Sequence, residues 1–479
     1  MSNWRRILRS EHGVALPLAM IILVVMTMLT LTFMSLGTVE PQISRNLSDG
    51  ARARQLAESG IEWGFNQLTA GTFDTLLAGA VTGPTACGSG IACVVLGGGA
   101  QNLPGLSAAY GTFTVTLRND RLSVLGDQQL IGVGNTPDGS ATDDANYIVV
   151  LKSTGTFSGA SRTVTAVVQR GNLLFNAAVT LPGEQADTYS RNPPSTGDYL
   201  IDGRDWKNAD TTAPTGSAGV KFGIAAATTG TEADAESDFD TLQKRSYVQG
   251  KDDGEGHASS TDGSCAPGCG RDTIANDPTL SMSSIQTFVS NLAANPSTQI
   301  LQSTQACGFG TSPPEGIQMT STSTANLVQV RNNCSGTPGI NQTVNLGTAT
   351  SPALLYFKGE YDPTSAFRGV AVSGSNPITG YGVLVVEDSD LAFFQTGQFR
   401  WNGIVVVTGR NVASAFLGAS DTEIRGALIT NETNASEACC FKEFFVDTTE
   451  TMRIRASKEN IDRALMALYN MRIAAFREN

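Results

Sequence analysis

The stretch "VALPLAMIILVVMTMLTLTFMSL" (residues 14–36) contains no charged side chain. At about 1.5 Å per residue, a helix of this length crosses a hydrocarbon layer of about 30 Å. Arg5, Arg6 and Arg9 precede the stretch, and the first acidic residue after it is Glu40. Because positively charged flanks stay on the cytoplasmic side, the pattern predicts a transmembrane helix with the remaining chain outside the cytoplasm.

A cleaved secretory signal peptide is the first alternative for this segment. The apolar part of a signal peptide usually spans about 7–15 residues and ends at a small-residue cleavage site. The apolar run here is longer, and no such site closes it. The sequence therefore favours a retained helix.

The helical pattern continues beyond the apolar run, through "QISRNLSDGARARQLAESGIEWGFNQLTAG" (42–71). Apolar and small residues recur there at spacings of three and four, as in an amphipathic helix. They are Ala53, Leu56, Ala57, Gly60, Ile61, Gly64, Phe65 and Leu68. Pro41 is expected to bend or interrupt the helix, and Gly71 to end it. A helix of this length, about 85 Å, is typical of a filament subunit whose second half carries a head domain.

A basic leader ending at Gly13, the apolar run and "RNLSDGARARQLAESGIEWG" (45–64) together resemble the N-terminus of type IV pilin-like proteins. The 45–64 run is most similar to PilX-type minor pilins and, more distantly, to the K-type minor pseudopilin of type II secretion. The resemblance implies that a prepilin peptidase cuts between Gly13 and Val14. Val14 then becomes the methylated first residue of the mature chain.

One position departs from the usual pilin pattern. The fifth residue of a mature pilin is commonly Glu, which is thought to neutralise the amino terminus of a neighbouring subunit, whereas this chain has Leu18 after Pro17. We assign both residues to the assembly surface. K-type pseudopilins also lack the Glu and are thought to occupy the filament tip. The resemblance therefore implies a tip or initiating role, and a permanently membrane-anchored protein is the alternative.

The head begins with three stretches of alternating polar and apolar residues, which predict half-buried strands. These stretches are 111–120, 146–157 and 161–170. Leaning against the amphipathic helix, they resemble a pilin-like antiparallel sheet. The predicted fold class is α+β, with this sheet followed by a β-rich C-terminal domain.

The C-terminal domain shows a repeat of a glycine followed by a short β-branched run, at Gly382, Gly403 and Gly426. Recurrence at about one rung's length predicts a parallel β-solenoid, with an antiparallel sandwich as the alternative. The run 380–409 also resembles C-terminal regions of large PilX-like proteins. Apolar spacing over 457–476, with Ser457 as N-cap, predicts a closing helix that covers an open end or edge of the solenoid.

These patterns divide the chain into six segments. They are a leader (1–13), a transmembrane helix (14–37), a pilin-like domain (38–172), a polar insertion-rich region (173–300), a β-solenoid-like domain (301–450) and a C-terminal helix (451–479).

Eight cysteines follow the apolar run, and an even number outside the cytoplasm predicts disulfides. The candidates are Cys87, Cys93, Cys265, Cys269, Cys307, Cys334, Cys439 and Cys440. "CAPGC" (265–269) has no second cysteine pair or clustered histidine, so a zinc site is not expected. A bond between the adjacent Cys439 and Cys440 requires a strained ring, so a distant partner or a free thiol is the alternative.

The sequence gives little support for a metal site or a catalytic site. The acidic loop residues Asp252, Asp253 and Glu255 are a weak candidate for Ca²⁺, which prefers several oxygen ligands, although a solvated loop explains them better. No other cofactor is expected. The segment after Gly13 has a single histidine, His257, and no catalytic motif, so we do not expect an enzyme. The net charge of −12 argues against a nucleic-acid partner.

The leading hypothesis is a minor pilin or pilus assembly protein that primes or caps the filament at its tip and presents a large extracellular head for adhesion. Its expected partners are major and minor pilins, the prepilin peptidase, the inner membrane and a tip adhesin. It would reside in the inner membrane with a periplasmic head, then on the pilus at the cell surface. The alternatives are the K-type tip pseudopilin, and an unprocessed membrane-anchored adhesin or polysaccharide-acting β-solenoid protein.

Overall fold

We describe the chain from a computed structural model. The residues described are 15–82, 87, 90–124, 126–131, 137–144, 146–170, 175–183, 187–191, 199–216, 219–239, 247–254, 270–302, 317–332, 341–359, 369–418, 421–433, 442–448, 450–468 and 471–478.

A single helix, α1 (Ala15–Gln67), contains both the apolar run and the amphipathic stretch. Its 53 residues correspond to about 80 Å. Pro41 lies inside the helix, which therefore continues through the position where a bend or break was predicted. The first half is exposed to solvent, and burial of one face begins at Gly50. The long N-terminal apolar helix predicted from the sequence is confirmed.

The second half of α1 packs its apolar stripe on a six-stranded antiparallel sheet, the first sheet, with the strand order β1-β2-β3-β4-β5-β24. Ala53, Ala57 and Leu68 are fully buried against it. The predicted antiparallel sheet is therefore confirmed. Its strands are β1 (Val81–Thr82), β2 (Ala92–Val95), β3 (Thr112–Asn119), β4 (Ile148–Phe157), β5 (Ala160–Arg170) and β24 (Met471–Glu478). Two short helices flank it, α2 (Phe73–Leu77) and α3 (Asp127–Ile131).

The end of the chain differs from the prediction of one helix over 457–476. Helix α6 (Lys458–Ala467) is shorter, and Met471–Glu478 forms the edge strand β24, antiparallel to β5. The periodicity of the segment suits a helix, but β5 offers an edge of backbone donors and acceptors that β24 satisfies. The whole C-terminal region is therefore inserted between two neighbouring strands of the first sheet.

The remaining strands form a curled, mainly parallel second sheet. They are β6 (Ala177–Leu181), β7 (Thr188–Ser190), β8 (Tyr199–Asp202), β9 (Phe222–Ala226), β10 (Val248–Gln249), β11 (Ile274–Asn276), β12 (Gln299–Gln302), β13 (Ile317–Ser321), β14 (Leu327–Asn332), β15 (Asn341–Asn345), β16 (Gly347–Thr348), β17 (Ser351–Lys358), β18 (Gly369–Glu387), β19 (Asp390–Gly409), β20 (Ser414–Gly418), β21 (Thr422–Glu432), β22 (Phe444–Thr448) and β23 (Met452–Ala456).

The glycine repeat coincides with the register of this sheet. Gly382 on β18 pairs with Gly403 on β19, which pairs with Gly426 on β21. All three have positive φ angles, of 119°, 146° and 149°. A methyl group on Gly403 would overlap the carbonyl oxygen of Gly382, and one on Gly426 that of Gly403. Glycine is therefore required at the same level of three successive strands.

The second sheet starts earlier in the chain than the predicted boundary at residue 301. Strands β6, β7 and β8 pair in parallel with β21, β22 and β23, respectively. The region predicted to be rich in polar insertions therefore also supplies strands, along with helix α4 (Thr229–Phe239). Short strands separated by polar loops carry little periodic signal, which explains why the sequence did not predict them.

Two hydrophobic layers lie on the two faces of this sheet. One is enclosed by the curl and contains Phe393, Phe399, Trp401 and Phe416 among its buried rings. The other lies beneath α5 (Met282–Ala294) and α6, which pack against alternate residues of β17, β18, β19 and β21. Helix α6 therefore covers a face of the sheet, whereas the sequence predicted a cover over an end or edge.

Candidate functional site

The first half of α1 is the most apolar exposed surface of the described chain. Its large side chains are between about half and three-quarters exposed, with Leu18 at 56% and Leu16 at 73%. Among the described residues, α1 is the one helix long and apolar enough to cross a membrane, and its most apolar window has a mean hydropathy of 2.4. An apolar surface of this size requires lipid or other helices as its surroundings.

The hydroxyl groups in this half of α1 do not add polarity to its surface. The Oγ1 atoms of Thr27, Thr30 and Thr32 donate to carbonyl oxygens one turn earlier, at distances of 2.7 to 2.8 Å. Each hydroxyl is thereby satisfied within the helix, as required inside a hydrocarbon layer. The segment presents hydrocarbon on all sides.

The predicted processing and assembly residues lie at the start of this helix. Gly13 and Val14 fall outside the described residues, so the cleavage site remains a prediction. Pro17 and Leu18 lie in the first turn of α1 and are exposed. Proline is tolerated there because the first N–H groups of a helix have no partner within it. Their role in assembly also remains a prediction.

The amphipathic half of α1 is fastened to the first sheet by close backbone approach. A methyl group on Gly60 would lie only 2.9 Å from a ring carbon of Phe113 on β3. One on Gly64 would lie only 2.8 Å from a methyl carbon of Val115 on the same strand. On the opposing side, Gly155 of β4 faces the backbone of α1 directly. These glycines bring helix and sheet closer than ordinary side chains permit.

Arg170 from β5 caps the C-terminal end of α1 by hydrogen bonds to carbonyl oxygens. Its Nη2 donates to the carbonyl oxygens of Leu68, at 2.8 Å, and Gly71, at 3.0 Å. The guanidinium also lies 4.2 Å from the centre of the Phe73 ring. Burial lowers the pKa of Arg170, and two carboxylates, Asp462 and Asp144, oppose that shift. A positive charge at the carboxyl end of a helix is favourable, so α1 is held against the head at its last turn.

A buried charge cluster joins the first sheet to α6. The ammonium of Lys458 on α6 contacts the carboxylates of Asp74 on α2 and of Asp462 one turn further along α6. Asp74 also accepts the backbone N–H of Asp144 at 2.8 Å. Burial raises the pKa of Asp462 to about 6, and Lys458 limits the shift. Burial lowers the pKa of Lys458, but the surrounding carboxylates outweigh it and the net shift is upward.

The cysteine candidates are only partly described. Cys87 and Cys93 form a disulfide, which closes the loop between β1 and β2. The other six lie outside the described residues. They are Cys265, Cys269, Cys307, Cys334, Cys439 and Cys440.

The weak calcium candidate is also only partly described. Glu255 lies outside the described residues. Asp252 is exposed, and its Oδ1 accepts the N–H of Gly254 at 2.8 Å. The acidic side chains whose oxygens converge, among the described residues, belong to another loop and are Asp120, Asp138 and Asp144.

This second acidic group was not predicted from the sequence. Asp120 follows β3, and the other two lie in or beside the run "DGSATDDAN" (138–146) ahead of β4. The density of acids in that short run was the available signal. Their convergence depends on the path of the β3–β4 connection, which no local pattern shows.

Comparison with known proteins finds a family model that matches the exposed helix. Residues 12–62 match a family model described as PilX N-terminal. A solved structure similar to the chain is the crystal structure of the competence-associated pilin ComZ from Thermus thermophilus. The identity is 11%, the match covers 90% of this chain and 98% of that chain, and the TM-score is 0.23. Among curated proteins, no sequence matches the chain. The residues matched by the family model include most of α1.

Proposed function

We propose, from the premise that this chain is a type IV minor pilin-like protein, that it enters a pilus-like filament through the exposed half of α1 and caps or primes that filament at its tip. The observation that carries the proposal is the division of one continuous helix into two functional halves. Its first half is exposed hydrocarbon, and its second half is fixed to the head by glycine contacts and Arg170. A pulling or packing force on the first half is therefore transmitted directly to the head.

Leu18 supports the proposed position at the tip. In a shaft, each subunit would meet the amino terminus of a neighbour inside an apolar helix bundle, where an unpaired charge is costly. Leu18 offers no carboxylate to neutralise it. A subunit of this kind is suited to a position where that contact is not needed. The same feature favours the K-type tip pseudopilin of type II secretion as a second candidate.

The head is proposed to be a β-solenoid domain that presents a surface for adhesion, with a tip adhesin as a further partner. Parallel pairing in a constant register, with glycines stacked over three strands, supports this architecture. The proposed role is mechanical and does not include catalysis. An unprocessed membrane-anchored adhesin or polysaccharide-acting protein remains the candidate from another class.

The proposed life cycle begins in the inner membrane, with the head in the periplasm. A prepilin peptidase removes residues 1–13, Val14 is methylated, and α1 then packs against major and minor pilins. After assembly the head lies outside the cell. The apolar character of the first half of α1 supports both the membrane stage and the filament stage.

Mass spectrometry of the mature N-terminus tests the processing step. A methylated chain beginning at Val14 is expected, and an intact Met1 or a distant cut would exclude the pilin pathway. Deletion of the gene tests priming, because the number of surface pili is expected to fall. A normal number of pili would overturn the priming role, and a loss of protein secretion with normal pili would favour the pseudopilin.

A further inference from the structure

A group of three buried carboxylates lies in the connection between β3 and β4. Asp120, Asp138 and Asp144 are 0%, 7% and 0% exposed. One oxygen from each lies within 4.8 Å of the others. Asn119, the last residue of β3, is 1% exposed and adjoins this group through its side chain.

The hydrogen bonds within the group hold the loop in place but leave some side-chain oxygens without a donor. Asn146 donates to Asp120 Oδ2 at 2.9 Å, and the Ile148 N–H donates to Asp144 Oδ1 at 3.0 Å. Asn119 Nδ2 donates to Asp138 Oδ2 at 3.0 Å. Within the described chain, the second oxygens of Asp120 and Asp144 have no hydrogen-bond partner, and neither does the side-chain oxygen of Asn119.

Buried oxygens without donors are costly, and several buried carboxylates together are more so. Burial raises the pKa of Asp120 to about 7 and that of Asp144 well above its usual value. Two cationic side chains on neighbouring segments form their ion pairs with other carboxylates. Arg118 donates to both oxygens of Asp127, at 2.5 and 2.6 Å, and Lys458 contacts Asp74 and Asp462. The donors to Asp120 and Asp144 named above are all neutral. Lys458 opposes the rise in the pKa of Asp144 but makes its hydrogen bonds to Asp74 and Asp462, so a cation bound among the three carboxylates would offset their charge.

We propose that Asp120, Asp138 and Asp144, together with the side-chain oxygen of Asn119, bind one Ca²⁺ ion. Ca²⁺ takes oxygen ligands at about 2.3–2.6 Å, so ligands on opposite sides of the ion are about 5 Å apart, and oxygens within 4.8 Å of one another can all reach it. Mg²⁺ requires about 2.0–2.1 Å in a near-ideal octahedron and keeps several waters, which suits a buried, carboxylate-rich site less well.

The site adjoins the junction of the two sheets. Asp144 donates its backbone N–H to Asp74, which in turn contacts Lys458 on α6. An ion at Asp144 therefore fixes one end of the chain of contacts that connects the β3–β4 loop to the C-terminal region. We expect Ca²⁺ to stiffen this junction. This expectation does not depend on where the protein lies in a filament.

The test uses the full-length chain in detergent micelles, stripped with EGTA and titrated with Ca²⁺ alone or Mg²⁺ alone. One Ca²⁺ is expected to bind per chain in the micromolar to millimolar range, with Mg²⁺ at least tenfold weaker, and Ca²⁺ is expected to raise the melting temperature by several degrees. The variants Asp120→Asn and Asp138→Asn are expected to weaken binding at least tenfold. The matched control Asp252→Asn, in an exposed loop, is expected to bind as the wild type does.

Two outcomes would overturn the site. Absence of stoichiometric Ca²⁺ binding by the wild-type chain at millimolar concentrations would show that the carboxylates hold protons, and a loss of binding in Asp252→Asn would place the ion in the other loop. Neither outcome depends on the folding of the Asp120 and Asp138 variants, because the wild type and the exposed control suffice. A preference for Mg²⁺ would also contradict the proposal.

Discussion

Gly155 on β4 faces Ala53 on α1 so closely that a methyl group on Gly155 would overlap the carbonyl oxygen of Ala53 and lie 2.5 Å from the nitrogen of Ala57. The helix and the sheet therefore touch backbone to backbone at this point. Because α1 also carries the exposed apolar half, this contact couples that half of the helix to the head.

The first prediction concerns this contact. Gly155→Ala is expected to destabilise the head by about 1–3 kcal/mol, because the added methyl group meets backbone atoms of Ala53 and Ala57 and the Cβ of Leu56, none of which moves away by a side-chain rotation. Thermal or denaturant unfolding of the chain in micelles measures the effect. Gly79→Ala is the control, since a methyl group there meets nothing within 4 Å and Gly79 is exposed. Equal stability of the two variants would mean that the close approach is not needed.

The stacked glycines of the second sheet give another prediction. Gly403→Ala introduces both a side chain at a φ of 146° and an overlap with the carbonyl oxygen of Gly382. A loss of at least about 2 kcal/mol is expected, from backbone strain and overpacking together. Gly219→Ala, in open space, serves as its control in denaturant unfolding. A Gly403→Ala chain as stable as this control would contradict the observed register.

The positive charge of Lys458, at the junction of the sheets, is expected to be required for stability. Lys458→Met leaves Asp462 buried without its counter-ion, and removing one partner of a buried pair typically costs about 3–5 kcal/mol. The double variant Lys458→Met/Asp462→Leu is expected to recover part of the loss, because the orphaned charge is removed as well. A double-mutant cycle of unfolding free energies measures the coupling. Additive effects would show that the two side chains act independently.

A pair of glutamates in the second sheet predicts the dependence of stability on pH. Burial, with the neighbouring Glu432, raises the pKa of Glu443 to about 11, and burial also raises that of Glu432. The folded pair therefore keeps a proton that the unfolded chain releases above about pH 4.5, so the contribution of this pair to stability is fully present at acidic pH and is lost as the pH rises toward 11.

Glu443→Gln tests this pH dependence. Glutamine has no proton to release, so the variant is expected to lose less stability than the wild type between pH 5 and pH 8. The difference in slope has an upper limit of about 1.4 kcal/mol per pH unit for one proton. Unfolding in denaturant at several pH values measures both curves. Parallel curves would show that the pair carries its charge in the folded state.

The proposed tip position rests on Leu18 and is tested by introducing a carboxylate there. Leu18→Glu is expected to allow more copies of the protein along the shaft, because the carboxylate neutralises a neighbouring amino terminus. Immunogold counts of the head along isolated pili measure the change. Leu18→Gln is the matched control, since it has similar size without the charge. An unchanged distribution in Leu18→Glu would exclude this explanation of the tip position.

Several features were predictable from the sequence because each is carried by a local period. The uncharged run 14–36, the stripe from Ala53 to Leu68 and the alternation over 111–170 predicted α1 and the first sheet, and both are confirmed. The resemblance of residues 45–64 to pilin-like proteins is confirmed by the match over 12–62. The steps between Gly382, Gly403 and Gly426 predicted a parallel β-solenoid, and the parallel pairing of the strands that carry them is confirmed.

The sequence by itself determined the elements whose periodicity is long and uninterrupted, because burial of one face repeats at every turn of a helix or every second residue of a strand. Only the tertiary structure decided that residues 471–478 leave the helical pattern to complete the first sheet beside β5, and that β6 to β8 join the second sheet. It also brought Asp120, Asp138 and Asp144 together. These outcomes depend on backbone pairing and loop paths between distant segments, and such long-range contacts leave no period in the sequence.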